Sequence, residues 1–347
     1  MLWRNDLIKN LFSNDPNSIN IKFAIDLKYE NIPSLLYKYR HFEIDQKNPK
    51  EPLEILKSDK IYLSPPTSFN DPFDCASQLI PGDIDQKFIL ESNPDLYKQR
   101  FNLSDEEFNE LMRSSNIIRA ICRLFLRKSE QNNKKTPGTD DIKECEKIVK
   151  ETPLGSSDKL KESINISSFS ETNESILMWS HYAHNHEGFC IEYDFKKLGI
   201  NHHITRFIFP VIYSDNVIDI GKFLSSSAKE FENVMLKFAE GIERNDNYDK
   251  SNIQKTLNFN NMILFRTAIN KSKEWKYEKE WRYLLKNETP LEQKYFFAPK
   301  PKAVYLGAKI EEDNRDKILG IAQNRNFEVF QMEKESTKFA LKPNKIW

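Results

Sequence analysis

Two glutamates one residue apart, Glu278 and Glu280, lie in the stretch Trp275-Lys276-Tyr277-Glu278-Lys279-Glu280-Trp281-Arg282-Tyr283-Leu284-Leu285. Read as a strand, this stretch puts Glu278, Glu280 and Arg282 on one face, with the two glutamate Cα atoms roughly 7 Å apart. Lys279, Trp281, Tyr283 and Leu285 take the other face. Two carboxylates so placed form either a solvated sheet edge or a functional pair. Earlier in the chain, Ser168-Phe169-Ser170 sets two hydroxyls at the end of a strand over 164–170, and Arg40 lies on another over 35–42. On that first strand Leu36, Lys38 and Arg40 share a face opposite Leu35, Tyr37 and Tyr39.

Other segments could wall a pocket around these groups. Pro65-Pro66-Thr67-Ser68-Phe69-Asn70-Asp71-Pro72-Phe73-Asp74 has three prolines, and its Asn and Asp side chains can hydrogen-bond their own backbone. It is a structural turn or a rigid wall presenting Asn70, Asp71 and Asp74. A helix over 174–183 carries Trp179, His181 and Tyr182. Trp179 and Tyr182 on it are core residues or pocket aromatics. His181 and His184 are spaced i, i+3, but no Cys or carboxylate completes a ligand set, so no metal is expected.

The elements that must position these residues alternate irregularly. Strands are expected at 61–64, 188–194, 207–213 (with Pro210 marking an edge or a bulge), 303–307 and 327–330. Helices are expected at 53–60 and 311–324. Ser104-Asp105-Glu106-Glu107 reads as a capping box opening a further helix, and Thr139-Asp140-Asp141 as the cap of another reaching about Lys150. Scattered strands with clustered helices indicate an α+β fold. The organisation expected is a helical extension over 1–32 and one catalytic domain over 33–347. Helical insertions are expected near 83–160 and 222–270.

Composition narrows the functional classes. The chain of 347 residues balances 52 basic against 52 acidic side chains, which argues against a nucleic-acid partner. No Gly-rich phosphate loop of either standard pattern occurs. The four cysteines are scattered without a C-x-x-C pair, as in a protein made in a reducing cytoplasm. No apolar run reaches the ~18–20 residues of a membrane span, so no membrane partner is expected. Export by a dedicated secretion system remains compatible with such a sequence.

The order Arg40, Ser168-Phe169-Ser170, Glu278-Lys279-Glu280 resembles the arginine, S-x-S, E-x-E signature of the arginine-directed mono-ADP-ribosyltransferases. Tyr37-Lys38-Tyr39-Arg40, Phe69-Asn70-Asp71-Pro72-Phe73-Asp74, Met178-Trp179-Ser180-His181-Tyr182-Ala183, Gly188-Phe189 and Glu278-Lys279-Glu280-Trp281-Arg282 resemble a bacterial family catalogued as a domain of unknown function, over roughly 33–310.

The first resemblance implies a split β-sheet core with large helical insertions, and NAD as substrate with no metal. It implies transfer to an arginine of a target protein by a toxin, effector or defence protein. Glu280 would stabilise the oxocarbenium-like cation formed as nicotinamide leaves, through the ribose 2′-hydroxyl, and Glu278 would orient and deprotonate the acceptor guanidinium. Arg40 would pair with the dinucleotide phosphates, and Ser168 and Ser170 would hold the nicotinamide ribose. Tyr39, Asn70, Asp71, Asp74, Phe169, Trp179 and Tyr182 would complete the NAD pocket. Two departures accompany it: the middle residue of S-x-S is the bulky Phe169, and the motifs lie farther apart than a minimal core needs. Three other uses of the residues stay open: NAD hydrolysis or nucleic-acid modification in the same pocket, a glycosidase in which retention requires carboxyls about 5–5.5 Å apart, and a non-catalytic interaction module.

Overall fold

The computed structural model describes residues 2–13, 18–42, 53–78, 94–100, 102–114, 157–219, 261–287 and 295–347. Among these residues the strands in chain order are β1 Leu36–Arg40, β2 Lys60–Tyr62, β3 Ser77–Gln78, β4 Ile164–Ser170, β5 Phe189–Tyr193, β6 Ile208–Pro210 and β7 Ile212–Ser214. They continue with β8 Ile218–Asp219, β9 Asn270–Ser272, β10 Glu280–Lys286, β11 Tyr295–Phe297, β12 Ala303–Leu306, β13 Glu328–Lys334 and β14 Leu341–Lys345. Eight of them form one sheet in the order β14-β13-β12-β5-β1-β4-β10-β6. All its pairings are antiparallel except β12 with β13, whose parallel register is bridged by the helix Glu312–Arg325. The fold is α+β, with a large mixed sheet.

The sheet is nearly divided in the middle. β4 and β10 share seven register pairs and β1 and β5 share five, but β1 meets β4 only at Tyr37↔Ser170. Past that contact the two strands diverge, and β4 takes a different neighbour, since Ser64 and Ile166 exchange both backbone hydrogen bonds. A cleft therefore opens between β1 and β4.

Period-two patterning decides what faces this cleft. On β10, Trp281 and Tyr283 enter a core with Phe169, Tyr193, Phe195 and Ile208. Leu284 enters a second core with Ile164, Ile166, Leu264 and Phe265. Glu280 and Arg282 share the face of Leu284, opposite Ser170 and Ser168 respectively. A third cluster joins Tyr39, Met178, Trp179 and Cys190. Gly188 precedes β5 because any Cβ there would lie 2.2 Å from the Arg40 carbonyl oxygen.

The first two helices, Leu2–Leu11 and Ile21–Asn31, are part of the packing. Leu7, Leu11 and Ala24 are buried in the second core, and Trp3 stacks on Trp281 with ring centroids 6.1 Å apart. The box at Ser104 forms as expected: its Oγ accepts from the Glu107 N–H and its own N–H donates to Glu107 Oε2.

Two expectations need correction. The stretch 207–213 is two short strands parted at Val211, with Pro210 on the sheet edge where its missing donor costs nothing. Glu278 is not on a strand: it ends the 3-10 helix Lys273–Glu278, and Lys279 then adopts the left-handed conformation with φ 47 and ψ 52. Beyond these, the strand β14 was not expected; it carries Pro343 on the opposite edge. Most of the segments 83–160 and 222–270, including the cap at Thr139, lie outside the described residues.

Candidate functional site

The cleft of about 220 Å³ is lined on one lip by Tyr37, Lys38, Tyr39 and Arg40 and on the other by β4 from Ile166 to Ser170. Asn70, Asp74, Tyr182, Lys271, Glu278 and Glu280 close it. Glu280 starts a strand and Glu278 ends a helical turn. The left-handed Lys279 between them lets both carboxylates reach the same ammonium, that of Lys271. Its Nζ donates to Glu278 Oε2 at 2.5 Å and to Glu280 Oε2 at 3.0 Å, and lies 3.5 Å from Asp74 Oδ2. Lys271 sits on β9 and is nearly inaccessible.

Arg282 completes the cluster from the next same-face position of β10. Its Nε and Nη2 clasp Glu280 at 2.8 and 3.0 Å, and Nη2 also reaches Asp74 Oδ2 at 2.8 Å. Nη1 donates to the Ala268 carbonyl at 2.6 Å and to Cys75 Sγ at 3.1 Å. Thus all five guanidinium N–H donors have an acceptor, which is what lets an arginine with no exposed surface stay charged. The Pro65–Asp74 loop delivers Asp74: Asp71 Oδ1 accepts from the Phe73 N–H, and the Asp71 carbonyl accepts from the Asp74 N–H. Three carboxylates against two cations leave the fully ionised cluster with one net negative charge.

The two glutamates are set apart electrostatically. Burial opposes charge on Glu280, but Arg282, Lys271 and a hydrogen bond from Ser168 outweigh it and hold this carboxyl well below the usual range. Glu278 is raised to about 7, first by burial and then by the neighbouring Glu280 charge, with Lys271 and Tyr182 only partly offsetting them. Tyr182 Oη donates to Glu278 Oε1 at 2.6 Å, and the Glu280 N–H donates to Tyr213 Oη at 2.8 Å. The result is one fixed anion beside one carboxyl that titrates near neutrality, the arrangement that separates an electrostatic role from a general-base role.

Several residues singled out from the sequence have other duties. Ser168 is half-buried and lines the cleft, whereas Ser170 Oγ donates to the Glu278 carbonyl at 2.7 Å and ties the turn to β4. Trp179 has no exposed surface and does not line the cleft. Its Nε1 donates to the Asn173 carbonyl at 2.6 Å, and its ring meets Tyr39 edge-on and stacks on His186. Tyr39 lines the cleft while its hydroxyl donates to the Thr172 carbonyl at 2.9 Å. The Phe169 side chain is buried in the first core. Asp71 borders a neighbouring hollow with Phe73, Asp215, Glu274 and Trp275, and Asn70 borders both. His181 packs among Tyr182, Trp275 and Tyr277.

Lys271 went unnoticed in the sequence. Its only signal is an unremarkable lysine in Asn270-Lys271-Ser272, since nothing local shows that Glu278, Glu280 and the distant Asp74 converge on it. Arg282 was legible as a face-mate of Glu280 but not as its clamp.

The fold and cluster define an α+β protein with a buried ion network in a split sheet. A family model described as a protein of unknown function (DUF2971) matches residues 178–283, so it covers most of the helix Ile176–Tyr182, Lys271 and the Glu278–Arg282 turn but neither Arg40 nor Asp74. No curated protein and no solved structure matches the chain. Among the described residues no helix is long and apolar enough to cross a membrane.

Proposed function

We propose that the cleft binds NAD and transfers its ADP-ribose to an arginine of a target protein, as a toxin, effector or defence protein would. The observation that carries this reading is the sharing of Lys271 by Glu278 and Glu280 in a cleft whose opposite lip is the Lys38–Arg40 strand. A cleft lined by carboxylates together with Lys38 and Arg40 suits a substrate that carries both a positively charged nicotinamide and a diphosphate. The split between β1 and β4 is also in keeping with the ADP-ribosyltransferase architecture that the three-part signature implies.

In this reading Glu280, fixed as an anion by Arg282, stabilises the positive charge that develops on the ribose as the glycosidic bond breaks. Its anchoring means that little reorganisation is needed when that charge appears. Glu278, partly protonated near neutrality, aligns the acceptor guanidinium and takes the proton it releases. Ser168 steadies Glu280, and Tyr182 orients Glu278. Ser170, at the end of the lip, ties the turn that carries Glu278.

Incubating the protein with labelled NAD, with and without cell lysate, tests the proposal. Labelled protein bands sensitive to loss of Glu278 are expected. Free ADP-ribose alone would move the reading to hydrolysis in the same pocket, and no nicotinamide release at all would defeat it.

A further inference from the structure

Where the β1–β4 ladder stops at Tyr37↔Ser170, a side chain crosses the gap. Lys38 Nζ donates to Ser167 Oγ at 2.8 Å and to the Ser168 carbonyl at 3.2 Å, and lies 5.1 Å from the centre of the Phe169 ring. Only 9% of Lys38 is exposed, yet the hydrogen bonds it makes among the described residues go to neutral oxygens. This contrasts with Lys271, equally buried, which touches three carboxylates. A buried ammonium with neutral partners carries a desolvation cost that an anion would relieve. Lys38 also shares its strand face with Arg40, and both line the cleft.

We propose that Lys38 is an anion-binding residue of the cleft, whose ammonium turns from Ser167 and the Ser168 carbonyl to a diphosphate group bound beside Arg40. The diphosphate is that of a dinucleotide, so the inference rests on the reading of the cleft as an NAD site, but its chemistry can be tested apart from turnover.

The groups around Lys38 give the proposal a distinctive signature. Burial and the Arg40 charge on β1 push its ammonium down to about 7, while Glu280 on β10 works the other way. Ser167, Ser168 and Phe169 on β4 and Ile191 opposite it on β5 bring no charge. Somewhat above neutral pH the free protein therefore holds Lys38 mostly neutral, and a bound diphosphate recharges it. Binding should take up a proton.

The test is calorimetric titration of the whole protein at about pH 8, in two buffers of different ionisation enthalpy, with ADP-ribose, inorganic diphosphate and adenosine as probes. Wild type is expected to take up most of one proton on binding ADP-ribose. Lys38→Met should bind it roughly 10- to 100-fold more weakly and take up none, the loss expected of one charge-assisted hydrogen bond. Lys38→Arg, charged at every accessible pH, should still bind ADP-ribose but take up no proton, which also shows that loss of uptake is not loss of folding. Adenosine should be indifferent to both changes.

Absence of proton uptake in wild type, wild-type affinity in Lys38→Met, or no binding of either diphosphate probe would each overturn the proposal and leave Lys38 as a strap across the split. Lys38-dependent uptake with inorganic diphosphate in a protein that never releases nicotinamide would sustain the anion site and remove the transferase reading. Normal NAD turnover in Lys38→Met with unchanged KM would remove Lys38 alone.

Discussion

Arg282 holds both carboxylate oxygens of Glu280 from the next same-face position along β10, Nε to Oε1 at 2.8 Å and Nη2 to Oε2 at 3.0 Å. The catalytic candidate and its clamp are thus rigid with respect to each other. The clamp also means that removing Glu280 leaves a buried guanidinium with Asp74 as its remaining carboxylate.

That relationship dictates how Glu280 should be probed. Alanine should destabilise the protein by about 3–5 kcal/mol, as when one partner of a buried ion pair is deleted. Glu280→Gln keeps the volume and one acceptor oxygen. It should fold, yet lose ~10²–10³ in nicotinamide release, the usual cost of one preorganised electrostatic contact. Rapid release by folded Glu280→Gln would dismiss Glu280 from the chemistry.

In the proposed reaction Glu278 is expected to govern the pH dependence. Transfer should rise with pH through about 7 as the carboxyl becomes a base. Glu278→Gln should lose that limb together with arginine modification while keeping slow NAD hydrolysis. Stability has the opposite sign: a raised carboxyl contributes fully below the ordinary carboxylate range, and that contribution is lost as pH rises through about 7. Glu280, held low, contributes fully at neutral pH and loses that contribution progressively as pH falls from the ordinary carboxylate range into strong acid. Melting temperatures of Glu278→Gln and wild type across this range should therefore converge or cross in the mutant's favour as pH increases. Parallel curves would show that Glu278 does not titrate there.

Lys271→Met removes the ammonium that helps Glu278 ionise, so the ascending limb of the pH-rate profile should move up by about one pH unit or more, about 1.4 kcal/mol per unit. The mutant should also melt lower, most clearly above neutral pH, where Glu278 loses its cation and Arg282 alone is left to hold Asp74 and Glu280. A lowered rate with an unmoved profile would make Lys271 purely structural.

Trp179 should behave as core. Trp179→Phe forfeits the bond to the Asn173 carbonyl and should cost about 1–3 kcal/mol, the penalty of a buried carbonyl left without its donor. The KM for NAD should not change. A large KM increase in a mutant of normal stability would return Trp179 to the pocket.

The parts of the site visible in the sequence are those encoded by local rules. Period-two alternation places Arg40, Ser168 and Glu280 on strand faces, and the Asn-Asp-Pro chemistry of the 65–74 loop marks a rigid turn. The parts not visible depend on closure of the chain. Lys271 and Asp74 are nearly two hundred residues apart and meet only because β9 and the loop converge behind β10. Glu278 was misplaced for a different reason: a single left-handed residue, Lys279, breaks the alternation, and lysine gives no hint of that conformation. Trp179 was ambiguous because an amphipathic helix offers an aromatic equally to core and cleft.

The stacking of Trp3 on Trp281 sets the order in which the molecule can assemble. The first helices reach their final partners only after β10 has been made, and β1 waits for β5. At ~5–20 residues per second of synthesis, Leu7 and Leu11 spend tens of seconds without the core that buries them. A fold so dominated by distant pairings should condense late and slowly, with the apolar side chains of its N-terminal helices the surface most open to chaperones in the meantime.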